Sequence, residues 1–407
     1  MSTPLILCRL CAGTDGARSL LPSMKSVWRA WLGVAAAISA VWLAPQCRAQ
    51  PAPVLPAIAG ELAGAVTAWP GAPALRWRCT FLPGGESGTV QAILTGEGEG
   101  TFLEVAVWMR ADGALDWQLR RAELDLVVWA PALATRWPEL WGYSCSGTVS
   151  LAGAGRFQSG LLSGNATVRL AGGRVENTAD QLVVEGIELM LTLDDLARLH
   201  SAPGQSLSWR AGRCAEIPLG AGLLQFSLAG ETVQVERGEF NVMGGGLRLS
   251  PFTVNPSAPE LEVVADVEQV DVAALLPLLP PLLSEAQGRL DGRLLLRYGA
   301  AGLSIGTGHL ALRGGSPAQL RLLPSPGVLS GSLPPKVNEL YPGLVRIEMG
   351  EAWLLADQLE VRFLPEGDPA GRSATVHLVG GPSDPSLRAP LILDLNTVGP
   401  LEPLVNL

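Results

Sequence analysis

The stretch LDGRLLLRY, from Leu290 to Tyr298, alternates apolar side chains with charged ones. A spacing of two residues places alternate side chains on opposite faces of a β-strand. One face of this stretch would carry Leu290, Gly292, Leu294, Leu296 and Tyr298. The other face would carry Asp291, Arg293 and Arg297, with Leu295 as its one apolar member. The stretch therefore predicts a strand with one apolar face and one mostly polar face.

The same alternation recurs from about residue 60 to the end of the chain. It is visible in Thr232–Glu236, in Leu247–Leu249 and in Leu261–Val263. Glycine- and proline-rich turn signals separate the runs, for example PGG at 83–85 and MGGG at 243–246. We therefore expect a mainly β fold, a long meander of antiparallel strands. About 25 strands stacked at ~4.8 Å each would extend roughly 120 Å.

Two runs interrupt the strand pattern and predict one or two short helices or irregular covers. The first extends from Asp271 to Gln287 and the second from Pro334 to Leu344. Pro277, Pro280 and Pro281 exclude one continuous helix in the first run, because proline removes a backbone donor and clashes with the preceding turn.

The composition agrees with a strand-rich exported protein. Of 407 residues, 48% are hydrophobic and only 16% are charged, while the 48 glycines and 32 prolines make up about a fifth of the chain. Such glycine and proline content favours short strands joined by turns over long helices. The net charge of -9 argues against a nucleic-acid partner, which would call for a basic surface.

The amino-terminal region has the composition of a targeting signal. We interpret residues 1–23 as an upstream leader extension and residues 24–50 as a signal peptide or an N-terminal membrane anchor. Lys25 and Arg29 precede an apolar run from Trp31 to Leu43, the order typical of a secretory signal. A Pro-rich linker at 51–60 follows. We therefore expect a protein of the periplasm or cell envelope, exported by its N-terminal signal and anchored in the inner membrane if the signal is not cleaved.

An apolar sheet face of this length has to be covered. A second sheet could cover it in a sandwich, the sheet could close into a barrel, or an open groove could fill with lipid. Periodicity and composition do not choose among these three arrangements.

The carboxy-terminal half resembles the YdbH family of AsmA-like intermembrane phospholipid transport proteins, for which an older label is dicarboxylate-transport domain. The resemblance rests on ordered segments, namely GGGLRLSPF at 244–252, APELEV at 258–263, QVDVAALL at 269–276, GRLDGRL at 288–294, GLSIGTGHL at 302–310 and APLILDLN at 389–396. We assign residues 183–407 to the YdbH-like β-groove region and residues 61–182 to an N-terminal β-rich segment.

The resemblance implies a long, curved antiparallel β-sheet with an AsmA-like hydrophobic groove that binds and conducts phospholipid between the inner and outer membrane. It also implies a small outer-membrane lipoprotein as partner. The physical mechanism would be a path of apolar side chains that takes up acyl chains, since each methylene removed from water contributes about 0.8 kcal/mol. Our candidates for groove-lining residues are Leu247, Leu249, Val263, Leu290, Leu294, Leu296, Tyr298, Leu303 and Ile305.

The sequence predicts no catalytic residue, no metal site and no cofactor, and hence no enzyme. His200, His309 and His377 are scattered, with no cysteine or carboxylate at ligand spacing beside them in sequence. Cys79, Cys145 and Cys214 lie far apart in the mature part and allow one disulfide at most. The alternative function is a structural envelope β-module that acts as a scaffold or tether without transferring lipid.

Overall fold

The computed structural model describes residues 60–398, apart from gaps at 69–70, 83–88, 111, 137–139, 180, 215–216, 256–259, 277–282, 300–301, 315, 328, 332–335, 337–339, 366–367 and 385–390, and it also describes residues 6–7. The predicted signal or anchor at 24–50 and nearly all of the leader and linker lie outside the described residues.

The described chain forms 24 strands. They are β1 (Ile6–Leu7), β2 (Gly60–Val66), β3 (Leu75–Leu82), β4 (Thr89–Gly98), β5 (Thr101–Arg110), β6 (Leu115–Asp125), β7 (Tyr143–Gln158), β8 (Leu161–Asn177), β9 (Leu182–Asp195), β10 (His200–Ser201), β11 (Gln205–Trp209), β12 (Ala211–Cys214), β13 (Ile217–Ala229), β14 (Thr232–Val242), β15 (Gly245–Leu249), β16 (Phe252–Val254), β17 (Leu261–Asp271), β18 (Leu283–Gln287), β19 (Arg289–Gly299), β20 (Gly302–Leu312), β21 (Ala318–Leu322), β22 (Leu354–Phe363), β23 (Arg372–Pro382) and β24 (Leu391–Val398).

All of these strands belong to one sheet, and strand residues make up 70% of the structure against 9% in helices. Neighbouring strands are antiparallel except for β1, which pairs in parallel with β24. Among the described residues, β2 pairs only with β3, and no pairing joins β2 to β24. The expectation of a long antiparallel β meander is confirmed. The described sheet has no barrel closure.

The sheet is shorter than its strand number suggests, because several short strands share one position. β10, β11 and β12 all lie between β9 and β13, and β15 and β16 both pair with β14. In the same way β18 continues into β19, and β20 and β21 share an edge of β22. The 23 strands from β2 to β24 therefore occupy 18 positions, which corresponds to ~80 Å at ~4.8 Å per spacing. The expected length of roughly 120 Å is too long.

Three short helices accompany the sheet, namely α1 (Leu126–Arg136), α2 (Val272–Leu275) and α3 (Pro342–Glu348). α1 follows β6 directly, α2 follows β17 directly, and α3 precedes β22. Successive antiparallel pairings place all three at the same end of the strands, which we call the helical end. The opposite end, which we call the hairpin end, carries turns such as Ser159–Gly160 between β7 and β8. None of the helices in the described part of the chain is long and apolar enough to cross a membrane.

The helices agree only partly with the sequence prediction. α2 forms in the first interrupting run, where the Asp271 side chain accepts a hydrogen bond from the amide of Ala273 at 3.0 Å, but that run continues as strand β18. In the second run, Lys336 and Leu340 are helical, and the last residues of the run belong to α3. α1 was not expected, because Pro131 lies inside it and its apolar sequence has no strong helical period.

Two hydrophobic cores form where the helices pack on the sheet. The first core joins Trp129 and Leu133 of α1 to sheet residues such as Val168 and Ile187, and the second joins Ile347 of α3 to residues such as Leu354. Full burial of one such side chain contributes about 1.5–3 kcal/mol. The helices α1 and α3 therefore cover the helical end of the sheet and stabilise it by burying apolar side chains.

Candidate functional site

An unbroken row of register partners without a charged residue crosses the whole sheet. We call it the axial row, and it takes one residue from each of the 18 strand positions. Its members are Val66, Leu75, Gly98, Thr101, Leu124, Val149, Leu170, Leu189, Leu207, Leu224, Gly238, Leu249, Ala265, Leu294, Gly308, Phe363, Ala374 and Thr397. Because paired residues share a face of the sheet, this row defines one apolar face.

The register row one residue away lies on the opposite face, which we call the charged face. From β14 to β22 its successive members are Glu239, Arg248, Asp266, Arg293, His309 and Arg362. Arg248 Nε lies 3.1 Å from Glu239 Oε1, and Arg293 Nε lies 2.6 Å from Asp266 Oδ1. Opposite charges thus pair across the strands on one face, while the other face stays apolar.

All nine predicted groove residues occupy positions on the apolar face. Leu296 lies opposite Val263 on β17 and opposite Ile305 on β20. Tyr298 is in register with Leu303. Leu249 and Leu294 belong to the axial row, and Leu247 and Leu290 belong to rows parallel to it. The strands β15, β17, β19 and β20 therefore bring the predicted positions together on one surface. Their role in binding lipid stays a prediction.

The predicted residues differ in how accessible they are. Leu290, Val263, Tyr298 and Leu294 are buried, with 1%, 5%, 5% and 9% of their surface exposed. Leu247, Leu249, Leu296 and Ile305 are half-buried. The half-buried side chains therefore offer more surface to a ligand than the buried ones. Of the buried ones, Leu290 and Leu294 are members of the second core.

Accessibility on the apolar face follows the position of the helices. Near the helical end, side chains such as Leu182, Leu320 and Leu354 are at most 4% exposed beneath the covers. Toward the hairpin end many large apolar side chains are only half-buried, although Leu191, Leu193, Val235, Val254 and Tyr298 are buried there. The half-buried group includes Val107, Phe157, Leu162, Phe226, Leu228, Leu261, Ile305 and Phe363.

Three tryptophans on the apolar face were missed by the sequence prediction. Trp77, Trp117 and Trp209 are in register with Gly64, Gly155 and Gly222 on neighbouring strands. A Cβ placed on Gly222 would lie only 2.0 Å from Trp209 Cζ2, so the indole occupies the space above that glycine. Each tryptophan sits in an alternating apolar run, but the opposing glycine is revealed only by the strand register.

Arginine neighbours lower the pKa of two carboxyl groups on the charged face, Asp116 and Glu239. The hydrogen bonds from Arg156 and then from Arg110 hold the pKa of Asp116 below its usual value. In the same way Arg237 and Arg248 lower the pKa of Glu239. Both carboxylates are half-buried and form ion pairs with arginine side chains.

Glu348 is a buried carboxylate that the sequence analysis did not single out. It is 2% exposed and accepts hydrogen bonds from the amides of Gly327, Leu329 and Ser330 at 3.2, 3.0 and 2.9 Å and from Ser330 Oγ at 2.7 Å. Burial by itself raises the pKa of Glu348, but these bonds lower it, and the net pKa lies below the ordinary value. Glu348 thus fastens the segment around Ser330 to α3, which covers the second core.

The described residues contain no group of three or more side chains that could hold a metal ion. Cys79, Cys145 and Cys214 form no disulfide. His377 Nδ1 lies 2.7 Å from Asp394 Oδ1 on the charged face, and His200 Nδ1 lies 3.8 Å from Asp194 Oδ2, so two of the three histidines have a carboxylate neighbour in space.

Comparison with known proteins gives one match. A family model described as YdbH-like, intermembrane phospholipid transport protein YdbH, matches residues 108–330, more than half of the chain. No curated protein and no solved structure gives a match. The match begins inside the segment predicted as an N-terminal β-rich part, and strand pairing continues across the expected boundary at 182/183, where β9 begins. It confirms the family suggested by the carboxy-terminal segments.

Proposed function

Because this chain belongs to the YdbH-like family of intermembrane phospholipid transport proteins, we propose that it binds phospholipid on its apolar face and conducts it between the inner and outer membrane. The proposal needs no catalytic group, since the lipid is moved and not changed.

The observation that carries the proposal is the axial row. A lipid moving along the sheet would meet no charged side chain in this row from β2 to β24. Each methylene kept from water contributes about 0.8 kcal/mol, so acyl chains are held by burial alone. Non-directional contacts of this kind change little from one strand to the next, which allows movement along the row. The polar headgroup would stay in water beyond the edge of the face.

The half-buried side chains toward the hairpin end mark where the path would lie. Phe226, Leu261, Ile305 and Phe363 all offer apolar surface there. The helical end is less suited to lipid, because α1, α2 and α3 already fill it. We therefore place the acyl chains toward the hairpin end along most of the sheet, and we keep the half-buried Leu247, Leu249, Leu296 and Ile305 as the foremost candidates from the sequence.

A second candidate function is a structural envelope module that acts as a scaffold or tether. The two cores favour it, because they show that the sheet covers a large part of its apolar face with its own helices. Under this alternative, the apolar side chains outside the two cores would bind no lipid.

We further propose that the region at 24–50 directs the chain to the periplasm and, if uncleaved, anchors it in the inner membrane. Strand β2 supports a contact with a partner chain, because all seven of its residues are exposed and, within the described part of the chain, it pairs only with β3. An exposed edge strand can accept a strand from another chain. A small outer-membrane lipoprotein is the partner implied by the family resemblance.

The experiment that tests the proposal combines two measurements on the full chain purified from the cell envelope. Native mass spectrometry should detect co-purified phospholipid, and the protein should accelerate transfer of a fluorescent phospholipid between donor and acceptor vesicles. A lipid-free protein without transfer activity would overturn the proposal and favour the scaffold.

A further inference from the structure

The helix α1 presents a stripe of uncharged side chains to solvent. Val127, Pro131 and Thr135 lie four positions apart and are all exposed, Val127 to 59%. We call these three residues the outer stripe, since side chains spaced by four lie on the same side of a helix. The opposite side, which includes Trp129, is buried in the first core. The one charged residue of α1 is Arg136, at its last position. A surface helix commonly directs charged side chains outward, and α1 does not.

The hydroxyl of the outer stripe is satisfied within the helix. Thr135 Oγ1 donates to the Pro131 carbonyl at 3.0 Å. At the start of α1, Asp125 Oδ1 accepts a hydrogen bond from the amide of Val127 at 2.9 Å. Removing an unpaired hydroxyl from water is costly. Because the Thr135 hydroxyl already has a partner, contact with an apolar surface would not leave it unpaired.

An exposed tryptophan lies at the same end of the strands. Trp141 lies two residues before β7, and it is 70% exposed. Asp125 at the end of β6 is in register with Thr148, so the first residues of β7 extend beyond β6 beside α1, which packs on β7. Among the described residues, Trp141 is the only exposed aromatic side chain. An indole combines an apolar ring with an N–H donor, which suits the boundary between hydrocarbon and water.

α1 also lies close to the strand that follows the predicted membrane anchor. The connection after β2 reaches α1, since a Cβ on Gly71 would lie 3.8 Å from Thr135 Oγ1 and Ala72 belongs to the first core. The predicted anchor ends at residue 50, and β2 begins at Gly60. Ten residues span at most ~36 Å. A chain held by this anchor can therefore bring α1 to the surface of the same bilayer.

We propose that the outer stripe and Trp141 contact the surface of the phospholipid bilayer that holds the predicted anchor. A bilayer fits this surface because binding at a membrane interface grows with the apolar area that is buried and needs no directed partner. This inference rests on the anchoring proposed above and adds a second contact with the same membrane. Two contacts restrict the orientation of the sheet relative to the membrane more than one contact does.

The first test uses the full chain with its six native cysteines replaced, reconstituted in vesicles of phosphatidylethanolamine and phosphatidylglycerol. Trp141→Cys carries the fluorophore NBD, and a second set of vesicles contains a phosphatidylcholine with a nitroxide on its headgroup. We expect the NBD emission to shift to shorter wavelength in the vesicles and to be quenched by the nitroxide.

Two control sites match Trp141 in exposure. Leu161, at the tip of the β7–β8 hairpin, is 75% exposed, and Leu340, just before α3, is 71% exposed. Leu161 lies at the hairpin end. α3 lies about ten strand positions from α1, or ~48 Å. We expect NBD at Leu161→Cys and at Leu340→Cys to show neither the shift nor the quenching.

The outcomes separate this inference from the proposed function. Equal quenching at all three sites would overturn it, because it would show adsorption without a defined surface. A shifted but unquenched label at residue 141 would also overturn it, because a protein partner or a second copy would then cover the site. If lipid transfer persists in either case, the proposed function stands. Vesicles that neither retain the chain nor exchange lipid through it would overturn both.

A charged variant tests the outer stripe itself. Val127→Glu places a carboxylate on the outer stripe, whereas Leu161→Glu places one at the hairpin end. With the labelled chains shown to be folded by circular dichroism, Val127→Glu should cause loss of the nitroxide quenching at residue 141, and Leu161→Glu should retain it. Equal quenching in both variants would contradict a bilayer contact through α1.

Discussion

The indole of Trp209 lies directly above Gly222 of the neighbouring strand, where a Cβ would come within 2.0 Å of Cζ2. The two residues are register partners in the antiparallel pair β11–β13. The glycine thus leaves room for a ring that would otherwise have to stand away from the sheet. The next residue in register, Phe240, contacts the same ring.

Gly222→Val should therefore force Trp209 out of its position. Overfilling a fitted site of this kind costs about 1–3 kcal/mol, and we expect a loss of unfolding free energy in that range together with a shift in tryptophan fluorescence. Gly246→Val is the matched control, because nothing lies within 4 Å of a Cβ at that position. If the double variant Gly222→Val/Trp209→Ala does not recover part of the lost stability, the steric explanation is wrong.

Glu348 makes the stability of the second core depend on pH. Its folded pKa is lowered, so the stabilisation is fully present above the ordinary pKa of 4.5 and is lost as the pH falls through the lower folded value. Glu348→Gln should remove this dependence and cost about 1–3 kcal/mol, because the buried amide donors lose their charged acceptor.

The measurement is urea unfolding of both proteins between pH 7 and pH 3. The difference in stability between Glu348→Gln and the unaltered chain should shrink as the pH falls below 4.5. A difference that stays constant over this range would show that Glu348 is not the titrating group.

Trp129 should control access to the first core. It is 8% exposed, and its Nε1 donates to Thr101 Oγ1 at 2.7 Å. Burial raises the pKa of the nearby Cys145 thiol, which keeps it protonated and slow to react. Trp129→Ala should cost about 3–5 kcal/mol and speed maleimide labelling of Cys145 in a chain whose other cysteines are replaced. Val127→Ala, on the exposed side of α1, should leave the labelling rate unchanged. Equal rates in both variants would contradict the covering role.

The sequence allowed the strands to be predicted better than their cover. The alternation in Leu290–Tyr298 is enough to place Leu294 on the apolar face and Arg293 on the other, since the period of a strand is local. Burial of Leu294 beneath a core is not local, because it depends on helices that follow other strands. α1 escaped prediction for the same reason, as its apolar residues and Pro131 resemble neither a regular helix nor a strand.

The overall length and the tryptophan positions also required the structure. Three short strands, β10 to β12, occupy one strand position beside β9. Their sequences do not indicate that they share this position. The proximity of Trp209 to Gly222 depends on strand register, which a one-residue slip would change. In contrast, the family was predictable, because the segments from Gly244 to Leu310 that carry the resemblance lie within the matched range.

The most direct test of the account is lipid transfer by two variants of adjacent residues on β19. Leu296→Glu places a carboxylate on the apolar face, whereas Leu295→Glu places it on the charged face between Arg293 and Arg297. With both variants shown to be folded by circular dichroism, transfer of a fluorescent phospholipid between vesicles is measured. We expect Leu296→Glu to lower the transfer rate about tenfold, a cost of about 1.4 kcal/mol, and Leu295→Glu to retain it. Equal transfer by both variants would contradict conduction along the apolar face.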